Sequence, residues 1–146
     1  MLAALNTGSE YGFGAVIAAL PGFRAVSEFL ADTIRDPLLN VAVTTNALAG
    51  ITGSASGGMS IALAAMGQRY LESAQAAGIS PEVLHRVAAM ASGGMDTLPH
   101  NGAIITLLMV TGLTHRHSYG DIFAMTIIKT IAVFFVIGLY YATGIQ

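Results

Sequence analysis

Ala49-Gly50-Ile51-Thr52-Gly53-Ser54-Ala55-Ser56-Gly57-Gly58 is the stretch whose reading decides the fold. It lies inside residues 37–67, a run free of Asp, Glu, Lys and Arg. The flanks, Leu38 to Leu48 and Met59 to Met66, are good apolar helix, but the centre carries four glycines. Glycine costs a helix interior about 1 kcal/mol relative to alanine. The pattern predicts two half-helices joined by an unwound segment, a discontinuous or re-entrant element.

The composition around it sets the solvent. Of 146 residues, 54% are hydrophobic and only 10% charged, and the mean hydropathy is +0.68. Six Lys+Arg and eight Asp+Glu are too few to cover a soluble domain of this length. This argues against a soluble globular enzyme and, more strongly, against a disordered chain. The net charge of −2 offers no basic footprint for nucleic acid. Without cysteine there is no disulfide framework and no thiolate metal site. His85, His100, His115 and His117 lack the i, i+4 pairing of a zinc-binding helix, so neither metal nor cofactor is expected. A spanning helix needs about 20 apolar residues, which leaves room for about four spans and no separate catalytic domain.

Residues 1–23 contain one acid, Glu10, and end at Leu20-Pro21-Gly22, a turn signal. They lack the basic start of a signal peptide and read as the remainder of a span. Phe23, Val26, Phe29, Leu30 and Ile34 then recur at helical spacing, with Arg24, Glu28, Asp32 and Arg35 mostly on other faces. This is an amphipathic helix in the interface plane, ended by Pro37; an ordinary polar connector is the equal alternative. Residues 68–86 form a polar connection in which Ser80 and Pro81 start a helix. That helix passes Val87 and Met90 and breaks over Ser92 to Gly102. An apolar run from Ala103 to Thr114 completes the crossing, residues 115–121 form a polar loop, and Ile122 to Gly144 is the cleanest span. Lys129 within it reads as a snorkelling lysine, with Asp121 as a possible partner. The arginines are spread too evenly to give an orientation. The expected fold is an all-α integral membrane protein, one domain over 1–146. It has about four hydrophobic elements, two of them discontinuous or re-entrant helices, and one interfacial amphipathic helix.

Irregular backbone at membrane depth is tolerated only where it lines a cavity or is buried in protein. Paired broken helices are the sequence pointer to a carrier's substrate site. The first break offers Thr52, Ser54 and Ser56 for substrate binding, and the second offers Ser92 and Asn101. Asp96 and His100 in the second are ionisable groups at membrane depth, expensive unless functional, and are expected to carry a coupling proton. The bland alternatives are glycine-mediated helix packing and capping, with Asp96 or Asn101 as N-cap. Ala55-Ser56-Gly57-Gly58-Met59 recurs as Ala91-Ser92-Gly93-Gly94-Met95, which points to similar work at both breaks. No nucleophile–base pair marks an enzyme.

Leu39-Asn40, Thr44-Thr45-Asn46 and the first break together resemble the gluconate permease (GntP) family of the ion transporter superfamily. So do Ala91-Ser92-Gly93-Gly94-Met95-Asp96-Thr97-Leu98-Pro99-His100-Asn101-Gly102-Ala103, Thr111-Gly112-Leu113-Thr114-His115 and Tyr11-Gly12-Phe13-Gly14-Ala15-Val16-Ile17. The pattern is most similar to the branch for 3-hydroxybutyrate and related short hydroxy acids. The resemblance implies a multi-pass secondary carrier of the bacterial inner membrane, coupling a small organic anion to a proton. It covers the C-terminal third of such carriers, which implies a fragment that needs the missing N-terminal part or a homo-oligomer. The rival expectation is a small membrane scaffold or accessory subunit without transport activity.

Overall fold

The computed structural model describes residues 2–144. The side chains of Leu2, Ala3, Asn6, Thr7, Glu10, Tyr11, Arg24, Ser27 and Ala31 fall outside that description, as do the expectations resting on Glu10 and Arg24. The described residues are helical throughout: α1 (Leu2–Ala19), α2 (Pro21–Thr33), α3 (Pro37–Thr52), α4 (Ala55–Ala76), α5 (Pro81–Ser92), α6 (Gly102–Thr111) and α7 (His115–Thr143), with a 3₁₀ turn at Met95–Thr97.

The central element is α3, whose buried residues lie on every face, from Leu38 and Val41 to Thr44, Thr45, Leu48 and Ala49. A helix apolar or uncharged all round belongs inside protein or membrane, and α3 is enclosed mainly by α4 and α5. The pair α3–α4 is an antiparallel hairpin. Its tip is Gly53-Ser54, Gly58 abuts the backbone of Ala49 and Leu48, and Pro37 and Asn40 face Arg69, Tyr70 and Ser73 across a cleft of about 170 Å³ at the far end.

The first break is therefore narrower than its glycine content suggests. Gly50, Gly57 and Gly58 all stay helical, because close packing repays their poor propensity. A Cβ on Gly50 would lie 3.0 Å from Met95 Cβ, and one on Gly58 would run into the α3 backbone. Only Gly53 leaves the helix. It sits at φ +67° and donates its N–H to the Ala49 carbonyl, a left-handed C-cap. Ser54 then caps α4, its Oγ accepting from Gly57 N at 3.1 Å. The element is a helical hairpin with a tight turn rather than a long unwound strand.

Other boundaries also move. Pro37 does not end the amphipathic helix; α2 stops at Thr33 and Pro37 opens α3, with Asp36 as N-cap. In α2, Phe23 is buried while Val26 and Phe29 point outward, and Asp32 pairs with Arg69 at 2.6 Å. The supposed polar connection over 68–86 is mostly helix, since α4 continues to Ala76. The start at Ser80-Pro81 is as expected, with Ser80 Oγ accepting from Val83 N at 3.4 Å. The supposed loop 115–121 is the first two turns of α7. Gly112 ends α6 in the left-handed region, and the chain re-enters helix at once.

Among the described residues α7 is the one helix long and apolar enough to cross a bilayer unaided. At ~1.5 Å per residue its 29 residues exceed the hydrocarbon core of about 30 Å. Most of its surface is uncovered, with Ile131 at 62% and Phe135 at 69% exposure. In contrast, α6 has ten residues, about half a crossing at the same rise.

Candidate functional site

The two glycine-rich breaks, 49–58 and 92–102, meet in space. The C-terminus of α3 leaves carbonyls without intrahelical donors: Gly53 N and Ser54 N both bond to Ala49 O, so the Gly50 carbonyl is among those without a donor. His100 takes that place, with Nε2 at 2.9 Å from Gly50 O. Because a carbonyl only accepts, Nε2 carries the hydrogen. The imidazole lies against Gly53, where a Cβ would sit 3.0 Å from its Cδ2.

Asn101, next in sequence, caps α6. Its Oδ1 accepts from Ala103 N at 2.7 Å and Ile104 N at 3.3 Å. A Cβ on Gly53 would come within 3.5 Å of Asn101 Cα, so the N-termini of α4 and α6 start beside one another. Each is the positive end of a helix dipole, and at α6 the Ala103 and Ile104 amides are already taken by Asn101. Two such ends, a freed carbonyl and an imidazole make a polar focus in an otherwise apolar chain.

A second anchor ties the breaks together upstream. Asn46, buried on α3, accepts from Met95 N at 2.7 Å. Gly94 makes this possible, since a Cβ there would lie 2.5 Å from Asn46 Oδ1. The repeated pentapeptide thus has one shared role. Its second glycine, Gly58 in one copy and Gly94 in the other, is where α3 packs. Gly57 meets only the side chains of Ser54 and Thr52, and Gly93 meets Met90 O at 3.5 Å.

The remaining predicted residues have mostly local partners. Thr52 is buried and donates back to Leu48 O at 2.8 Å, Ser92 donates to Ala89 O at 2.8 Å, and exposed Ser56 lies 3.4 Å from Ser54 Oγ. Asp96 and His100 do not share a hydrogen bond. Asp96 sits in the 3₁₀ turn and pairs with Lys129 at 2.7 Å, so Lys129 neither snorkels alone nor serves Asp121.

Sequence reasoning missed the role of α7. Lys129 holds Asp96, Thr126 Oγ1 shares a hydrogen bond with Thr97 Oγ1, Tyr119 Oη donates to Thr97 O at 3.3 Å, and His115 Nε2 donates to Pro99 O at 3.0 Å. These four are spaced 4, 7 and 3 apart, a polar stripe on one helical face. The spacing is legible in the sequence, but His115 and Tyr119 fall in a stretch whose composition is that of a polar loop.

No family model matches the chain, and no solved structure matches it either. A curated protein of Bacillus subtilis (strain 168), "Uncharacterized transporter YxjC", is 68% identical over 145 residues. The match takes in 99% of this chain and 31% of that protein, so the chain spans about a third of the length of the relative it matches. Almost every residue described above therefore falls within a stretch similar to part of a bacterial transporter.

Proposed function

We propose that this chain is part of a secondary carrier that moves small organic anions, of the gluconate or 3-hydroxybutyrate kind, together with protons across the bacterial cytoplasmic membrane. The observation that carries the reading is the meeting of the two breaks: the α4 and α6 N-termini beside Gly53, with His100 on the freed Gly50 carbonyl. Its transporter relative supports the same class. Substrate carboxylate and hydroxyl groups would be held by the α4 helix end and by the hydroxyls of Ser54 and Ser56, with Thr52, Ser92 and Asn101 shaping the backbone around them. His100 and Asp96 are the proton carriers. The rest of the carrier, supplied by further chain or by a second copy, would close the site from the open side.

The scaffold alternative is weaker, because the two tightest glycines are used within the chain, against α3, rather than left for a partner. The test is His100→Ala in the full-length carrier, assayed for anion uptake under an imposed pH gradient. Uptake driven by the gradient should vanish while membrane insertion is unchanged. Undiminished uptake would remove His100 from the coupling path.

A further inference from the structure

The ion pair between α7 and the second break has a role that the helix-end geometry does not supply. We propose that Lys129 is the cationic partner of the substrate carboxylate and Asp96 its resting counter-ion, so that anion binding and proton uptake are one exchange. This rests on the carrier reading above and adds the residue that recognises charge.

Lys129 is the only lysine of the chain, and it stands on its most apolar long helix. An ionisable group at that depth is held only with a partner, and removing one member of such a pair strands the other. Asp96 is that partner at 2.7 Å, yet the pair is not sealed: the side chains remain 31% and 26% exposed. The neighbours of Asp96 are fixed, Met95 N by Asn46 and Thr97 by Thr126 and Tyr119. Among the described residues the Asp96 carboxylate has one hydrogen-bond partner, Lys129. The frame is bonded on both sides of Asp96, and the carboxylate has a single bond to exchange.

Charge conservation gives the mechanism. At rest the site holds one cation and one carboxylate, net zero. A second carboxylate alone would leave a net negative charge in a medium of low dielectric, where it is costly. If the incoming carboxylate accepts the Lys129 N–H hydrogen bond that Asp96 gives up, and Asp96 takes a proton from a hydronium ion, the site stays neutral. One hydrogen bond is exchanged, one O–H bond of hydronium breaks to leave water as the Asp96 O–H bond forms, and no electron moves. The titratable groups around Asp96 are Lys129, Tyr119 and His115 of α7 and His100 of its own segment. The packed helix α3 has no ionisable residue, and α5 carries Glu82, His85 and Arg86 toward its opposite end.

The experiment uses the full-length carrier containing this segment, in proteoliposomes, with radiolabelled gluconate and 3-hydroxybutyrate as probes. One proton per monoanion makes the steady accumulation ratio change about tenfold per unit of pH gradient. Asp96→Asn should insert like the parent and lose that dependence entirely. Lys129→Gln should lose uptake of both probes, and Lys129→Arg should restore it. In the parent, either probe should protect Lys129 from an amine-reactive reagent. The double variant Asp96→Asn/Lys129→Gln leaves no orphaned charge, so it should insert normally and still fail to accumulate anion. Full pH-driven accumulation by Asp96→Asn or by the double variant would overturn the exchange. A parent that transports neither probe would instead overturn the carrier reading itself.

Discussion

At Gly58 an added methyl group would collide with the backbone of Ala49, and backbone cannot swing aside. At Gly94 it would meet the Asn46 side chain, which can rotate only by abandoning the Met95 amide. Overpacking costs about 1–3 kcal/mol, and leaving a buried donor unpaired costs about the same again. Gly58→Ala and Gly94→Ala should therefore lower thermal stability in detergent markedly, the former more. Gly67 lies within α4 with open space around it, so Gly67→Ala should raise stability by about 0.5–1 kcal/mol. The three melting curves together check the packing of α3. Glycine content was obvious in the sequence, whereas the division of labour among the glycines was not. Propensity treats Gly57 and Gly58 alike, and only the position of a neighbouring backbone separates them.

The capping residues belong to the scale of the element. Asn101 holds two amides of α6, so Asn101→Ala should destabilise by about 1 kcal/mol, and Asn101→Asp, which keeps the accepting oxygen, should recover most of it. Measuring anion uptake alongside melting separates two roles. If the Asp variant melts like the parent but transports poorly, the amide group also meets substrate. The sequence placed Asn101 at a break and offered capping as the plain alternative; the structure supplies the cap. Thr52 and Ser92 tell the same story, each bonded to its own preceding turn. A hydroxyl near a glycine-rich break looks the same in sequence whether it serves ligand or backbone, because both uses need only an exposed or an unpaired partner within reach. His100 differs, since its partner lies 50 residues away on α3.

On the scale of the whole molecule, the outer face of α7 is left bare. Ile128, Ile131 and Phe135 are 58%, 62% and 69% exposed, more apolar surface than water tolerates in one patch. The absence of native cysteine makes accessibility mapping direct. In native membranes, Ile131→Cys and Phe135→Cys should resist a membrane-impermeant maleimide, and Arg116→Cys should react. Equal labelling of all three would contradict a transmembrane α7. Composition, charge-free runs and turn residues by themselves determined that this chain is helical, at home in lipid, and broken at two glycine-rich points, because those properties follow from each segment's own propensity and solvent. The tertiary structure decided that the breaks face each other, that His100 finds a carbonyl that α3 cannot use, and that Asp96 answers to Lys129. Pairings across 33 and 50 residues are fixed by how helices pack around α3, and no local pattern encodes which donor will arrive at which acceptor.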